Sequence, residues 1–155
     1  MDIKPWDVLE LIISLCAQAT FLFITYKFAL KQFRMSKASH YLERFMSKDI
    51  MDARAVVDKY CDCSVEDMVR RLKEERNEED ANKVKMFANF FQELGIAYTR
   101  ELVDRKYVTD IFDFLTTSYW TKLQPWVLEY RKATGNNSLY SKWANLATIM
   151  TKTDK

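Results

Sequence analysis

Two glycines and two prolines among 155 residues leave little material for the tight turns on which β-sheets depend. That scarcity points to long helices joined by short connections. A single histidine, His40, removes most catalytic triads and most histidine-based metal sites. The three cysteines, Cys16, Cys61 and Cys63, are odd in number and one lies in an apolar stretch, so a reducing compartment is expected and a disulfide framework is not. Cys61-Asp62-Cys63 is at most half a metal site, and two small side chains at a helix end explain it as well. No metal and no cofactor is expected. Charge of one sign is not in excess either: a net +2 excludes a strongly basic nucleic-acid binder on charge alone. The chain holds no P-loop, no Rossmann glycine pattern, no His-Glu-x-x-His and no nucleophile elbow, and no small-molecule substrate is expected.

What the chain does have is one long hydrophobic run, "LIISLCAQATFLFITYKF", residues 11–28. Residues 11–26 carry no charge. As a helix the run is roughly 27 Å long, close to the roughly 30 Å hydrocarbon core of a bilayer. Trp6 flanks it on one side, Tyr26 and Phe28 on the other, where interfacial aromatics belong. Lys27, Lys31, Arg34 and Lys37 follow it, whereas Asp2, Asp7 and Glu10 outweigh Lys4 before it, which directs the C-terminal side to the cytoplasm. Three alternatives compete. Ala17-Gln18-Ala19 has the form of a signal-peptidase site, but the preceding segment is acidic and the apolar run continues past it. A buried core helix fits the dilution by Ser14, Gln18, Thr20 and Thr25. An amphipathic surface helix fits less well, because the apolar residues surround the axis.

In a spanning helix, Ser14, Gln18 and Thr25 fall on one stripe through their spacings of four and seven. Gln18 would lie near the bilayer centre, where an amide calls for a partner helix or water, although single spans tolerate one glutamine. Lys27, Lys31, Arg34 and Lys37 form a basic collar. It is explained by headgroup attraction, and alternatively by a positive ring at a pore or a contact for RNA.

The rest of the chain is helical in pattern. Ser47 opens "KDIMDARAVVDKY", Ser64 with Asp67 resembles a capping box before "VEDMVRRLKEER", and Asn77 caps the next start. Val84, Phe87, Phe90, Phe91 and Leu94 recur at helical spacing, and Gly95 within them marks a close helix contact. Ile111, Phe112, Leu115, Tyr119, Leu123, Trp126 and Tyr130 form the apolar face of a long helix that Pro125 should kink. Gly135-Asn136-Asn137-Ser138 reads as a loop before a last helix, "LYSKWANLATIM". The expected architecture is all-α: an N-terminal transmembrane helix with its basic segment, residues 1–34, then a cytoplasmic helical bundle, residues 35–155.

One constellation could carry chemistry. Arg34 and His40 are separated by five residues, a spacing that resembles the Arg-x4–6-His motif of the HEPN ribonucleases. In that family the histidine acts as acid or base at a ribose 2′-hydroxyl and the arginine steadies phosphate charge. Met35 departs from the polar residue usual there, and a basic juxtamembrane collar explains the pair more simply. Asp110, Asp113 and Glu129 have no partner base or metal pattern, and solubility accounts for them.

Phe90, Phe91, Glu93, Gly95, Leu102-Val103-Asp104 and Trp120-x-x-Leu123-x-Pro125 carry a wider likeness, joined by "MDARAVVDKY" and by Trp143 and Leu146. In these the chain resembles a bacterial and phage family with one N-terminal membrane helix and a cytoplasmic helical domain. Its best understood members are small membrane proteins that accompany the RNA-guided effector of type VI-B CRISPR systems. The resemblance implies a homo-oligomeric, ring-shaped pore in the bacterial inner membrane that depolarises the cell in antiphage defence. Its partners would be other copies of itself, the lipid bilayer, and an RNA-guided CRISPR effector or its RNA. On that reading Ser14, Gln18 and Thr25 line the pore and Lys27, Lys31 and Arg34 form its mouth. A membrane-tethered interaction module without a pore is the alternative, and a divergent ribonuclease the third.

Overall fold

A computed structural model describes residues 5–61, 63–73 and 77–153. Among them are six helices and no strand: α1 Pro5–Phe45, α2 Lys48–Cys61, α3 Val65–Lys73, α4 Glu78–Thr99, α5 Arg105–Thr134 and α6 Ser141–Thr153. The all-α architecture follows the sequence reading. Asp2, Lys4 and Asp62 lie outside the described residues.

The hub is α4, which packs against α2, α3, α5 and α6. Its stripe Val84, Phe87, Phe90, Phe91 and Leu94 is fully buried, as the three- and four-residue spacing predicts. Aromatic rings from three other helices close on that stripe. Phe45 of α1 meets Phe90 at 5.4 Å, Tyr119 of α5 meets Phe87 at 4.8 Å, and Trp143 of α6 stacks on Phe91 at 5.0 Å. Such pairs add about 0.5–1.5 kcal/mol each beyond the area they bury. The Trp143 indole N–H, sealed from water, donates to the Thr116 carbonyl at 3.2 Å. Gly95 is the close approach the sequence implied: a Cβ there would stand 2.4 Å from the Lys142 carbonyl oxygen.

Helix ends differ in detail from the sequence reading. Ser64 accepts from the Asp67 N–H at 3.2 Å, whereas the Asp67 carboxylate pairs with Arg70. Asn77 precedes α4 as expected, but its side chain does not cap the helix; its amide donates to the Arg71 carbonyl at 2.8 Å and ties α4 to the end of α3. The start of α5 is fixed by Asp104, whose carboxylate accepts from the Tyr107 N–H at 2.9 Å. The helix runs through Pro125 as one element and stops at Gly135, whose φ of 67° is the left-handed conformation a helix C-cap favours. Val108 and Thr116 join the buried face of α5, and Ile111, Leu115 and Tyr130 flank it half-buried.

The expected boundary between residues 34 and 35 falls inside an uninterrupted helix. The 41 residues of α1 are about 60 Å long. Its C-terminal part enters the bundle through Ala38 and Phe45, both buried. Its N-terminal two-thirds stands clear.

Candidate membrane interface

Every residue from 11 to 28 is exposed. Phe21, Leu22, Phe23 and Ile24 are each 61–70% exposed, as are side chains on every side of the axis. This is a helix long and apolar enough to cross a membrane, and none of its most apolar window is covered by the rest of the chain. The core-helix alternative is therefore overturned, because a core helix would be covered. Pattern alone could not separate the two, since both are apolar all round.

The polar groups of the run are handled within the helix. Thr20 Oγ1 donates to the Cys16 carbonyl at 2.8 Å and Thr25 Oγ1 to the Phe21 carbonyl at 2.9 Å. Gln18 Nε2 donates to Ser14 Oγ at 3.4 Å, one turn back. Hydroxyls satisfied by their own backbone lower the cost of placing them in hydrocarbon. The Gln18 bond uses one of the amide's two donors. On α1, at about 100° per residue, Ser14, Gln18 and Thr25 lie within about 40° of one another.

The basic collar does not share its face. Lys27 is nine residues from Gln18, a rotation of about 180°, and Lys31 and Arg34 lie near Lys27. Lys27 Nζ leans back over the Phe23 ring at 5.4 Å and Lys37 Nζ over Phe33 at 5.7 Å, which leaves both ammonium groups in solvent. Arg34 is drawn away from the collar by the bundle. Its guanidinium lies 3.5 Å from Glu101, and its Nε is buried. His40, six residues on and about 120° around the helix, points to solvent beside Glu43 at 3.9 Å. Within one chain the two residues of the ribonuclease-like spacing are thus not brought together.

Glu101 is the neighbour of Arg34 that the sequence reading did not single out. It holds φ = 55° at the end of α4, and the bonds around it complete a Schellman turn: Leu102 N–H donates to the Ala97 carbonyl at 2.9 Å and Glu101 N–H to the Tyr98 carbonyl at 3.2 Å. Glycine is the usual residue there. Glutamate gives up backbone ease and in return its carboxylate bridges Arg34 at 3.5 Å and Arg105 at 3.3 Å. The stretch Leu102-Val103-Asp104 then explains itself: Leu102 turns outward, Val103 plugs the core, and Asp104 caps α5 while its N–H donates to the Arg34 carbonyl at 3.2 Å. A non-glycine Schellman residue leaves no composition signal, which is why "TRELVD" did not announce a turn.

Elsewhere in the bundle the polar clusters are structural. Arg54 Nε donates to the Tyr119 hydroxyl, which donates to Asp58 at 2.9 Å; burial and then the Asp58 bond push the Tyr119 phenol up. Asp80 accepts from Tyr60 and Lys59, whose bonds outweigh burial and lower its carboxyl below the ordinary range. Among the described residues no three of His, Cys, Asp and Glu gather as a ligand set. Cys63 Sγ leans on the Lys59 carbonyl at 3.9 Å. A cavity of about 190 Å³ between α3, α4 and α5 is walled by Val69, Leu72, Ala81, Trp126 and Tyr130.

A family model described as a domain of unknown function, DUF4760, matches residues 9–150, and the chain belongs to that family. No curated protein and no solved structure matches it.

Proposed function

We propose that this member of a family without an assigned activity is a single-span membrane protein whose spans associate through Ser14, Gln18 and Thr25. The bare apolar surface of residues 11–28 carries the reading. Burying one Leu, Ile or Phe side chain is worth about 1.5–3 kcal/mol, so a bilayer around this many of them is strongly favoured and requires no rearrangement of the bundle. The excess of Lys27, Lys31 and Lys37 after the span over the acidic residues before it directs the bundle to the cytoplasm of a bacterial inner membrane. Gln18 keeps a free amide donor on the stripe, which favours a neighbouring copy as its partner.

In a closed ring of such spans the stripe would line a polar channel. Such a channel would dissipate the membrane potential, the antiphage role implied by the likeness to the accessory proteins of type VI-B CRISPR systems. An RNA-guided effector or its RNA would then be a partner of the assembly. Lys27 and Lys31 would face lipid headgroups on the outside of such a ring and not its mouth, because they lie across the helix from the stripe. Light scattering of the full-length protein in detergent, corrected for bound detergent, tests the assembly. Six or more copies support the pore, and a monomer or dimer removes it. Gln18→Leu should reduce copy number or ion flux in reconstituted vesicles; if both stay as in the unaltered chain, the stripe is not the interface.

A tethered interaction module is the second reading, favoured by Phe114. It is 77% exposed on α5 beside Thr117, Ser118 and Thr121, a surface that suits a partner protein. A monomeric chain in detergent would shift the assignment there. His40→Ala would bear on RNA cleavage, since an enzyme should lose it while assembly persists.

A further inference from the structure

The bundle has a definite membrane-facing end, and contacts along α1 define it. Phe45 meets Phe87, Tyr41 meets Phe90, and Arg34 meets Glu101. As α4 advances in sequence it moves back along α1, so the two run antiparallel and α4 ends on the side of the bundle nearer the apolar stretch. The corner between α4 and α5, residues 99–105, is joined to α1 at Arg34 through the Asp104 N–H. Arg34 stands six residues beyond Phe28, about 9 Å along the helix axis. The headgroup layer of a leaflet is about 5–7 Å deep, and long basic side chains extend several ångströms further. The corner therefore lies where its outward side chains touch the headgroups.

Those side chains suit that position. Arg100 and Lys106 are exposed, Leu102 is 46% exposed between them, and Arg105 is turned back, its Nε donating to the Tyr98 carbonyl at 3.2 Å. The two carboxylates of the corner are engaged: Glu101 lies between Arg34 and Arg105, and Asp104 caps the Tyr107 N–H. What faces outward is cationic with one apolar tip. The left-handed turn at Glu101 produces this arrangement by sending Val103 into the core and Leu102 out.

We infer that the α4–α5 corner is a second membrane contact, seated on anionic phospholipid headgroups, with Arg100 and Lys106 on the phosphates and Leu102 dipping between them. This rests on α1 crossing the bilayer. The span and the corner together make two attachments, and two attachments hold the bundle at one tilt. The occupant is a lipid surface and not a protein, because the distance from the end of the apolar run puts headgroups at the corner whatever else is bound.

The test reconstitutes the full chain in vesicles of phosphatidylcholine, alone or mixed with phosphatidylglycerol, and follows amide hydrogen exchange of residues 99–106. Resistance to alkaline extraction from both vesicles checks the span separately; release of the chain would overturn the spanning reading and this inference with it. With the span intact, exchange at the corner should slow by at least about tenfold when phosphatidylglycerol is present, the effect expected of two or more basic residues at an anionic surface. Equal exchange in the two lipids would overturn the corner contact and leave the span standing. The variant Arg100→Gln/Lys106→Gln, altered at exposed positions, should lose the lipid-dependent slowing and keep the exchange pattern of the core. Slowing that survives in it would also overturn the assignment.

Discussion

A glutamate where a helix would ordinarily end in glycine sets two effects against each other. The left-handed backbone at Glu101 costs about 1 kcal/mol, and the half-exposed bridge to Arg34 and Arg105 returns a similar amount. Glu101→Gly should thus leave stability within about 1 kcal/mol of the unaltered chain, whereas Glu101→Ala, which keeps the strain and loses the bridge, should fall below both. Urea unfolding of the three proteins in one detergent ranks them. Tyr140 gives a second residue-scale prediction. Burial, then the nearby Tyr130, pushes its phenol up to about 12 from an ordinary 10.0. A raised folded value means that the folded state holds the proton more tightly. The contribution is therefore complete below pH 10 and is lost as pH rises from 10 to about 12. Thermal melts across that window should fall less steeply for Tyr140→Phe, which has no proton to lose; parallel slopes would remove Tyr140 as a cause. Neither residue drew notice in the sequence, because a positive φ and a buried hydroxyl depend on what surrounds them.

Elements were far more legible than their ends. The spacing of Val84, Phe87, Phe90, Phe91 and Leu94 specifies the buried face of α4 because apolar burial follows helical periodicity. Asn77 and Asp104 went the other way. Capping chemistry is shared by several short polar residues, and which of them closes a helix depends on how its neighbours turn the side chain, as the Arg71 carbonyl does by accepting from the Asn77 amide. Gly95 was read as a close contact without its partner, since a missing side chain names no neighbour. With Lys142 identified, the size of the effect follows. Alanine is the better helix former by about 1 kcal/mol, but its Cβ would stand 2.4 Å from a backbone oxygen that moves only with α6. The clash should win, and Gly95→Ala should lower stability by about 1–3 kcal/mol in denaturant unfolding. A stabilised variant would mean that α4 and α6 are free to separate.

At the scale of the molecule, composition and one hydrophobic run were enough to give an all-helical chain with a helix able to cross a membrane. The polar stripe and the basic face opposite it were legible as helical spacing, but the withdrawal of Arg34 from the collar was not, because its partners Glu101 and Asp104 lie about seventy residues away in sequence and no spacing links them. That the same helix continues to Phe45 has a mechanical consequence. With no joint between the apolar run and the bundle, the two are geared: one inserted residue turns the bundle by about 100° relative to the stripe, and seven bring it back to within about 20°. Insertions of alanine between residues 29 and 33 should therefore affect assembly periodically, with one or two residues disrupting it and seven restoring it. A response that merely declines with length would mean slack in the shaft; a periodic one would mean that any turning of the span within the bilayer is delivered, degree for degree, to the bundle beneath it.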